Sequence, residues 1–315
     1  MIHTRVCEIL DTQYPILQGG MAWAATAELA AAVSNAGGLG IIGAGNAPAE
    51  VVEKEIINTL KLTDKPFGVN VMLLSPFVDQ VMEVIIKHKV RVVTTGAGNP
   101  GKYIENLKKI SAKIIPVVPS VALAKRMEAL GADALIVEGT EAGGHIGELT
   151  TMCLVPQIVD SVEIPVIAAG GIADGRGLVA AFALGAEGVQ MGTRFVCSKE
   201  CTAHDNYKKA FIKAKDRDAI VSGRSTGHPV RCLKNKLTRE FEALEKAGTT
   251  LEELEKLGAG KLREAVVEGN TQTGSVMAGQ ISGLINDIKT VEQIIEQLVE
   301  EAQQVIYNTG RILGR

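Results

Sequence analysis

The sequence predicts an α/β protein folded as a (β/α)8 TIM barrel, with a small, mostly helical domain inserted near its end. Three observations carry that prediction. Strand and helix patterns alternate roughly every 20 to 25 residues. The strand patterns are short, uninterrupted apolar runs, as in parallel sheet buried beneath helices. Glycine clusters follow many of these runs, not only the first. Converging strand ends on one face of a barrel explain that better than the runner-up, a doubly wound open sheet. At 315 residues the chain accommodates one barrel-sized domain or two ordinary ones.

The elements follow in order. Pro15–Gln18 reads as the first strand and ends in Gly19-Gly20-Met21-Ala22. An alanine-rich helix from Thr26 to Asn35 closes at Gly37-Gly38, a common helix terminator. Leu39–Ile42 is the second strand, and Pro48 suits the first turn of the next helix. Val52, Ile56 and Leu60 share one face of it. Phe67–Leu73 is the third strand, with polar Asn70 at its centre, and Phe77, Val81 and Ile85 begin a broad apolar helical stripe. Val90–Thr95 and Ile114–Val118 are the fourth and fifth strands, with Gly96 to Gly101 read as loop. A helix through Ala124 and Met127 ends at Gly131. Ala134–Val137, Val166–Ala169 and Val189–Met191 complete the eight.

Beyond Phe195 the pattern breaks. Residues 1–198 are read as barrel, 199–270 as the inserted domain without a clear strand, and 271–315 as the return to the barrel. The inserted span has a dense basic stretch through Arg224, Arg231, Lys234, Lys236 and Arg239. It suits cofactor phosphates, an acidic partner or a plain solvated face. The last helix presents Val291, Ile294, Ile295, Leu298, Ala302 and Val305 on one side.

Composition narrows the function. Apolar content of 46% and charged content of 22% are those of a soluble globular protein. A net charge of −3 and 3% aromatics give nucleic acid neither bulk attraction nor stacking platforms. No apolar run has membrane-spanning length, and the first residues lack a signal-peptide core, so a cytoplasmic location is expected. Five scattered cysteines read as free thiols. Cys197 and Cys201 with nearby His204 invite a metal reading, but a fourth ligand at matching spacing is missing, and no metal is expected.

Two glycine clusters carry the chemistry. Gly170-Gly171 follows the seventh strand and Gly192-Thr193 the eighth. Glycines leave backbone N–H groups uncovered, and barrels often bind phosphate at these two loops. Tight turns alone would also use glycine there. Glu138 ends the sixth strand, and Gly143-Gly144-His145 follows it. An imidazole at a strand-end face suits acid–base or carbonyl-orienting work. The other histidines, His228 included, have no comparable setting. Gln18, Asn70, Glu138 and Gln190 are polar residues at or near the ends of apolar strands. Either core networks or a ligand rich in hydroxyls would satisfy them. No Ser-His-Asp order, Walker loop or GxGxxG dinucleotide motif is present.

Several motifs together resemble the nitronate monooxygenase and enoyl reductase superfamily of FMN barrels. They are Gln18–Ala22, Gly68-Val69-Asn70, Glu138–His145, Ala168–Ile172 and Gly192–Phe195. Gly143–Met152, Lys234–Phe241 and Gly274–Gln280 are closest to its type II enoyl-acyl-carrier-protein reductases. The resemblance spans essentially the whole chain. It implies FMN held by Gly20, Met21, Ala22, Asn70, Glu138, Gly143, Gly144, Gly170, Gly171, Gly192 and Thr193, with Met277 and Gln280 lining the site. His145 matches the family's active-site histidine. It also implies NADH or NADPH as electron source, an enoyl thioester on acyl carrier protein or CoA as substrate, and a homodimer. The alternative within the same superfamily is oxidation of nitronates by O2.

Overall fold

The computed structural model describes residues 2–312 and 314, so Met1, Leu313 and Arg315 of the expected barrel and return segments lie outside it. The first half of the chain runs α1 (Arg5–Leu10), β1 (Ile16–Gln18), α2 (Ala27–Asn35), β2 (Gly40–Gly45), α3 (Ala49–Leu62), β3 (Phe67–Met72), α4 (Val78–Lys87), β4 (Val92–Gly96), α5 (Gly101–Lys109), β5 (Lys113–Val118), α6 (Val121–Ala129) and β6 (Leu135–Glu138). A two-residue strand follows, β7 (Gly144–His145), then α7 (Thr151–Val159), β8 (Val166–Ala169), α8 (Gly175–Ala183), β9 (Gly188–Met191) and the single turn α9 (Thr193–Val196). The remainder holds α10 (Asp205–Lys213), β10 (Ala219–Ser222), β11 (Val230–Leu233), α11 (Lys236–Lys246), α12 (Leu251–Gly258), α13 (Lys261–Val266) and α14 (Val291–Ile312).

Eight parallel strands bond in the order β1-β9-β8-β6-β5-β4-β3-β2. The ring closes at a thin seam, one parallel bridge between Leu17 and Leu39. Gln18 reinforces it. Its side-chain amide donates to the Ile41 carbonyl at 3.0 Å and accepts from the Ile41 N–H at 3.1 Å, so a side chain supplies the next rung. This barrel is the predicted fold, and all eight predicted strands are its staves.

Alternation along the strands sorts the core. Leu17, Ile41, Val92, Ile115, Ile136 and Ile167 fill the barrel, and Val6 and Leu10 of α1 join that cluster. Val69, Val71, Val93 and Ile114 face the outer helices instead. Two residues beyond the interior layer, Asn70, Glu138, Ala169 and Gln190 therefore face inward at the C-terminal mouth. Their registers agree: Asn70 opposes Thr94, Glu138 opposes Ala169, and Ala169 opposes Gln190.

Three differences from the sequence reading stand out. Pro48 caps α3 from outside rather than opening its first turn. Helices α1, α5, α7 and α8 appear where the periodicity was too short or too glycine-rich to mark them. The span 199–270 contains strands β10 and β11, which pair antiparallel with each other and then with β7. Each is four residues long, and β10 is half-buried throughout, so neither has the length or alternation that announces a strand. α14 buries Val291, Ile294, Ile295, Leu298 and Ala302, the predicted face. No helix among the described residues is long and apolar enough to cross a membrane.

Candidate active site at the barrel mouth

The loop after β1 crosses the mouth. A side chain at Gly20 would collide with Asn70, and one at Gly43 would lie 2.6 Å from the Met21 carbonyl oxygen, so both glycines let this loop press onto β2 and β3. The Met21 sulfur reaches toward Gly192, and Ala22 lies over Gly45. Gly20, Met21, Ala22, Asn70 and Gly192 are thereby gathered on one side of the mouth.

Gly170 and Gly171 follow β8 with φ of +88° and +76°, a left-handed turn that L side chains rarely adopt. Among the described residues, the backbone N–H groups of Gly170, Gly171, Gly192 and Thr193 have no protein acceptor. Four free donors after two adjacent strands form a cradle suited to an oxyanion. Thr193 Oγ1 accepts from the Gly279 N–H at 3.0 Å, which ties the cradle to the returning segment.

The loop after β6 carries the second cluster. Gly143 lets the Ala278–Gly279 backbone pass beside it; a Cβ there would sit 2.6 Å from the Ala278 carbonyl carbon. Gly144 and His145 are not loop residues, as the sequence suggested, but strand β7. Val230 opposes His145, Arg231 opposes Gly144, and the Ile146 N–H donates to the Pro229 carbonyl at 3.2 Å. The Met277 sulfur lies beside Gly144. Gln280 contributes its backbone N–H to the Glu141 carbonyl at 2.9 Å, while its side chain is exposed. Gly279 sits between Thr193 on one side and Glu141 and Gly143 on the other, so the returning segment brings the two glycine clusters together.

Two residues overlooked in the sequence hold this arrangement. Arg231, 6% exposed, donates from Nε and Nη2 to the Thr140 carbonyl at 3.1 and 3.0 Å. Burial lowers its pKa, but a guanidinium stays charged. Read as one member of a basic stretch, it is a buried cation inside a strand; the apolar neighbours Val230, Cys232 and Leu233 were the available signal. Glu141 accepts from the Thr151 N–H at 2.9 Å and from its hydroxyl at 2.8 Å, anchoring the same loop to the start of α7.

The four strand-end polar residues divide. Gln18 belongs to the seam. Asn70 donates to Thr94 Oγ1 at 2.9 Å. Glu138 has no hydrogen-bond partner among the described residues, and burial pushes its pKa up to about 7. Its carboxyl faces the mouth next to the glycine cradle. The His145 pKa is lowered, first by desolvation and then by the charge of His228, which stands close by despite its unremarkable sequence context. The imidazole keeps an exposed edge, so solvent moderates that shift, and neutral His145 prevails near pH 7. His204, weighed above as a metal ligand, instead caps α10 by accepting the Asn206 N–H at 3.0 Å.

A parallel barrel with a glycine cradle and a histidine at the C-terminal mouth is the architecture of a ligand-binding enzyme of the TIM-barrel class. The chain belongs to the nitronate monooxygenase family of oxidoreductases, whose family model matches residues 3–83 and 76–301. It is 34% identical to a (3aS,4S,5R,7aS)-5-hydroxy-7a-methyl-1-oxo-octahydro-1H-indene-4-carboxyl-CoA dehydrogenase of Rhodococcus jostii (strain RHA1), over 99% of each chain. It is 36% identical to a probable nitronate monooxygenase of Staphylococcus saprophyticus, covering 97% of this chain and 99% of that one. Among solved structures, FabK from Thermotoga maritima matches with a TM-score of 0.96 and 52% identity, over 98% of this chain and 99% of that chain.

Proposed function

We propose that the protein is an FMN-dependent enoyl-acyl-carrier-protein reductase that reduces the trans-2 double bond of enoyl thioesters with NADH or NADPH. The observation that carries this reading is His145 on β7, paired to β11 and facing the same mouth as the glycine cradle. The 52% identity to FabK over nearly the whole chain supports the reductase branch. The relative named as a carboxyl-CoA dehydrogenase supports a thioester as substrate.

The site fits FMN on its own geometry. The free N–H groups of Gly170, Gly171, Gly192 and Thr193 suit its phosphate. Glu138, without a protein partner, suits a ribityl hydroxyl, which would donate to it and favour its ionised form. Gly20, Met21, Ala22 and Asn70 would border the cofactor on one side, and Gly143, Gly144, Met277 and Gln280 on the other. Held there, FMN would supply the hydride chemistry that links a nicotinamide to the double bond of an enoyl thioester. The protein's own task is placement and charge control. Neutral His145 donates a hydrogen bond to the thioester carbonyl, where negative charge develops, or relays a solvent proton to the α-carbon, taking one up at its other ring nitrogen as it gives one away. Arg231 and Glu141 keep its strand in place.

The test is an assay with crotonyl thioester and each nicotinamide in turn, with an anaerobic mixing control. Loss of flavin absorbance on adding NADH or NADPH, followed by crotonyl reduction, is the expected result. The second reading is nitronate oxidation by O2, favoured by the names of the family model and of the staphylococcal relative. Bleaching by a nitronate but by neither nicotinamide would establish it instead.

A further inference from the structure

A second concavity lies away from the mouth, on the outer side of α10. It has a volume of about 440 Å³, within the range of small-molecule sites. Lys209 and Lys213 line it from α10, and Lys234, Lys236 and Arg239 from the end of β11 and the start of α11. The sequence showed the last three as a basic run. The fold adds two lysines from about 20 residues earlier and aims all five at one space. One lining carboxylate, Asp218, accompanies them and accepts the Lys215 N–H at 2.8 Å, and Glu242 outside the lining feels the charge of Lys234.

None of the five cations forms an ion pair among the described residues. Elsewhere on the same segment the pattern is opposite: Lys246 pairs with Glu242 and Lys256 with Glu252, each one helical turn away. Lys209 and Lys213 also sit one turn apart on α10, where like charges repel. A chain of net charge −3 has acids to spare, so this concentration is a local feature. The floor is different in kind. Ala210 and Ala214 supply apolar surface over the buried Leu233 and Val276, and Asn206, Thr271 and Gln272 supply hydrogen-bonding groups around it. Cations at the edge, an apolar floor and amides between them match a phosphorylated nucleoside: phosphate for the lysines and arginine, base for the floor.

We infer that this concavity binds the phosphorylated adenosine end of a nucleotide-bearing substrate. Its back wall, Val276, immediately precedes Met277, whose sulfur borders Gly144 at the mouth. The cavity and the active site thus share one strip of backbone. Two sources carry the required chemistry, NADPH with its adenosine 2′-phosphate and a CoA thioester with its 3′-phosphate. The choice of these sources rests on the reductase reading above; the anion site does not.

Calorimetric titration of the purified flavoprotein with 2′,5′-ADP, 3′,5′-ADP and 5′-AMP tests it. One bisphosphate is expected to bind at least tenfold more tightly than 5′-AMP, and Lys213→Gln with Arg239→Gln is expected to weaken it at least tenfold. Preference for the 2′-phosphate names NADPH as source, and preference for the 3′-phosphate names CoA. A second pair, Lys209→Gln with Lys236→Gln, guards against local misfolding, since all four side chains are exposed. Absence of bisphosphate binding, or unchanged binding in both pairs, overturns the inference. Binding of an acidic carrier protein through these residues, with neither nucleotide bound, overturns it too. Turnover is not involved, so a protein that binds bisphosphate yet fails to reduce crotonyl thioester would sink the reductase reading and leave this site standing.

Discussion

The mouth has two walls, and they hold their residues by different means. On the barrel wall, Glu138, Ala169 and Gln190 sit on adjoining parallel strands in continuous register. Displacing one requires opening the ring. On the facing wall, His145 belongs to a two-residue strand that pairs with only two residues of β11. A few backbone bonds, Ile146 to Pro229 and Gln280 to Glu141, and two side chains, Arg231 on the Thr140 carbonyl and Glu141 on Thr151, hold the rest. The glycine cradle is therefore expected to share the stability of the whole domain, and the histidine wall to open more readily, held back by the Thr151 hydroxyl on the Gly170 carbonyl. Mutations that separate these two behaviours break or sharpen the comparison.

The largest effect belongs to the facing wall. His145→Ala is expected to lower enoyl reduction by about 10²- to 10⁴-fold, the usual range for a lost acid–base or polarising group. Flavin absorbance after gel filtration is expected to be unchanged. In the wild type, the acid limb of the kcat/KM profile should fall below the ordinary histidine value of 6.5, because desolvation favours the neutral ring. Wild-type turnover in the variant would reduce His145 to a structural residue.

Arg231→Met tests whether that wall depends on one guanidinium. It leaves the Thr140 carbonyl without its two donors. The expected cost is about 1–3 kcal/mol of local stability and, through misplacement of His145, up to about 100-fold in kcat. FMN affinity should fall less than turnover, because the proposed phosphate cradle lies on the other wall and this wall offers the cofactor only its Gly143–Gly144 border. Arg231→Lys, which reaches with one donor group instead of a fork, is expected to recover part of the rate. Equal loss of flavin and turnover in Arg231→Met would show that the two walls are one unit. Hydrogen exchange on residues 140–146 is the direct measurement.

Gly170→Ala applies the matching test to the barrel wall. At φ of +88° an alanine is strained by about 1–3 kcal/mol, and its Cβ would lie 2.9 Å from the Gly139 carbonyl oxygen. FMN affinity is expected to fall roughly tenfold, with near-normal kcat once flavin is saturating. Ultrafiltration of free flavin at graded FMN concentrations reads this out.

How much of this was legible beforehand follows from the same contrast. The barrel wall was readable because its signals are local: apolar runs, the Gly170-Gly171 pair, and Glu138 at a strand end. The facing wall was readable only in its residue types. His145 announced itself by its glycines, but the strand it forms depends on Val230 and Arg231, roughly 85 residues away, and two-residue pairing leaves no periodicity. Arg231 was hidden for a related reason. Its neighbours in sequence are Lys234, Lys236 and Arg239, whereas its neighbours in space are Thr140 and Gly144. Gln18 shows the reverse case: the sequence left a core network and a ligand both open for it, and the core network holds, closing a seam.

Glu138→Gln gives the smallest effect and the finest test of the barrel wall. In the flavin-free protein the carboxyl pKa is raised from 4.5 to about 7 by burial. Between those values the folded state binds a proton that the unfolded state has lost. Stability therefore falls as pH rises through that window, and the loss is complete above about 7. The ceiling is roughly 3 kcal/mol, lowered by the solvent that still reaches this half-buried side chain. Glutamine carries no proton to lose, so Tm of the stripped variant should be flat from pH 5 to 8 relative to wild type. Adding FMN should flatten the wild-type curve as well, since a donated hydroxyl would stabilise the carboxylate. A wild-type slope that persists unchanged with FMN would separate Glu138 from the cofactor and leave the cradle to bind phosphate without it.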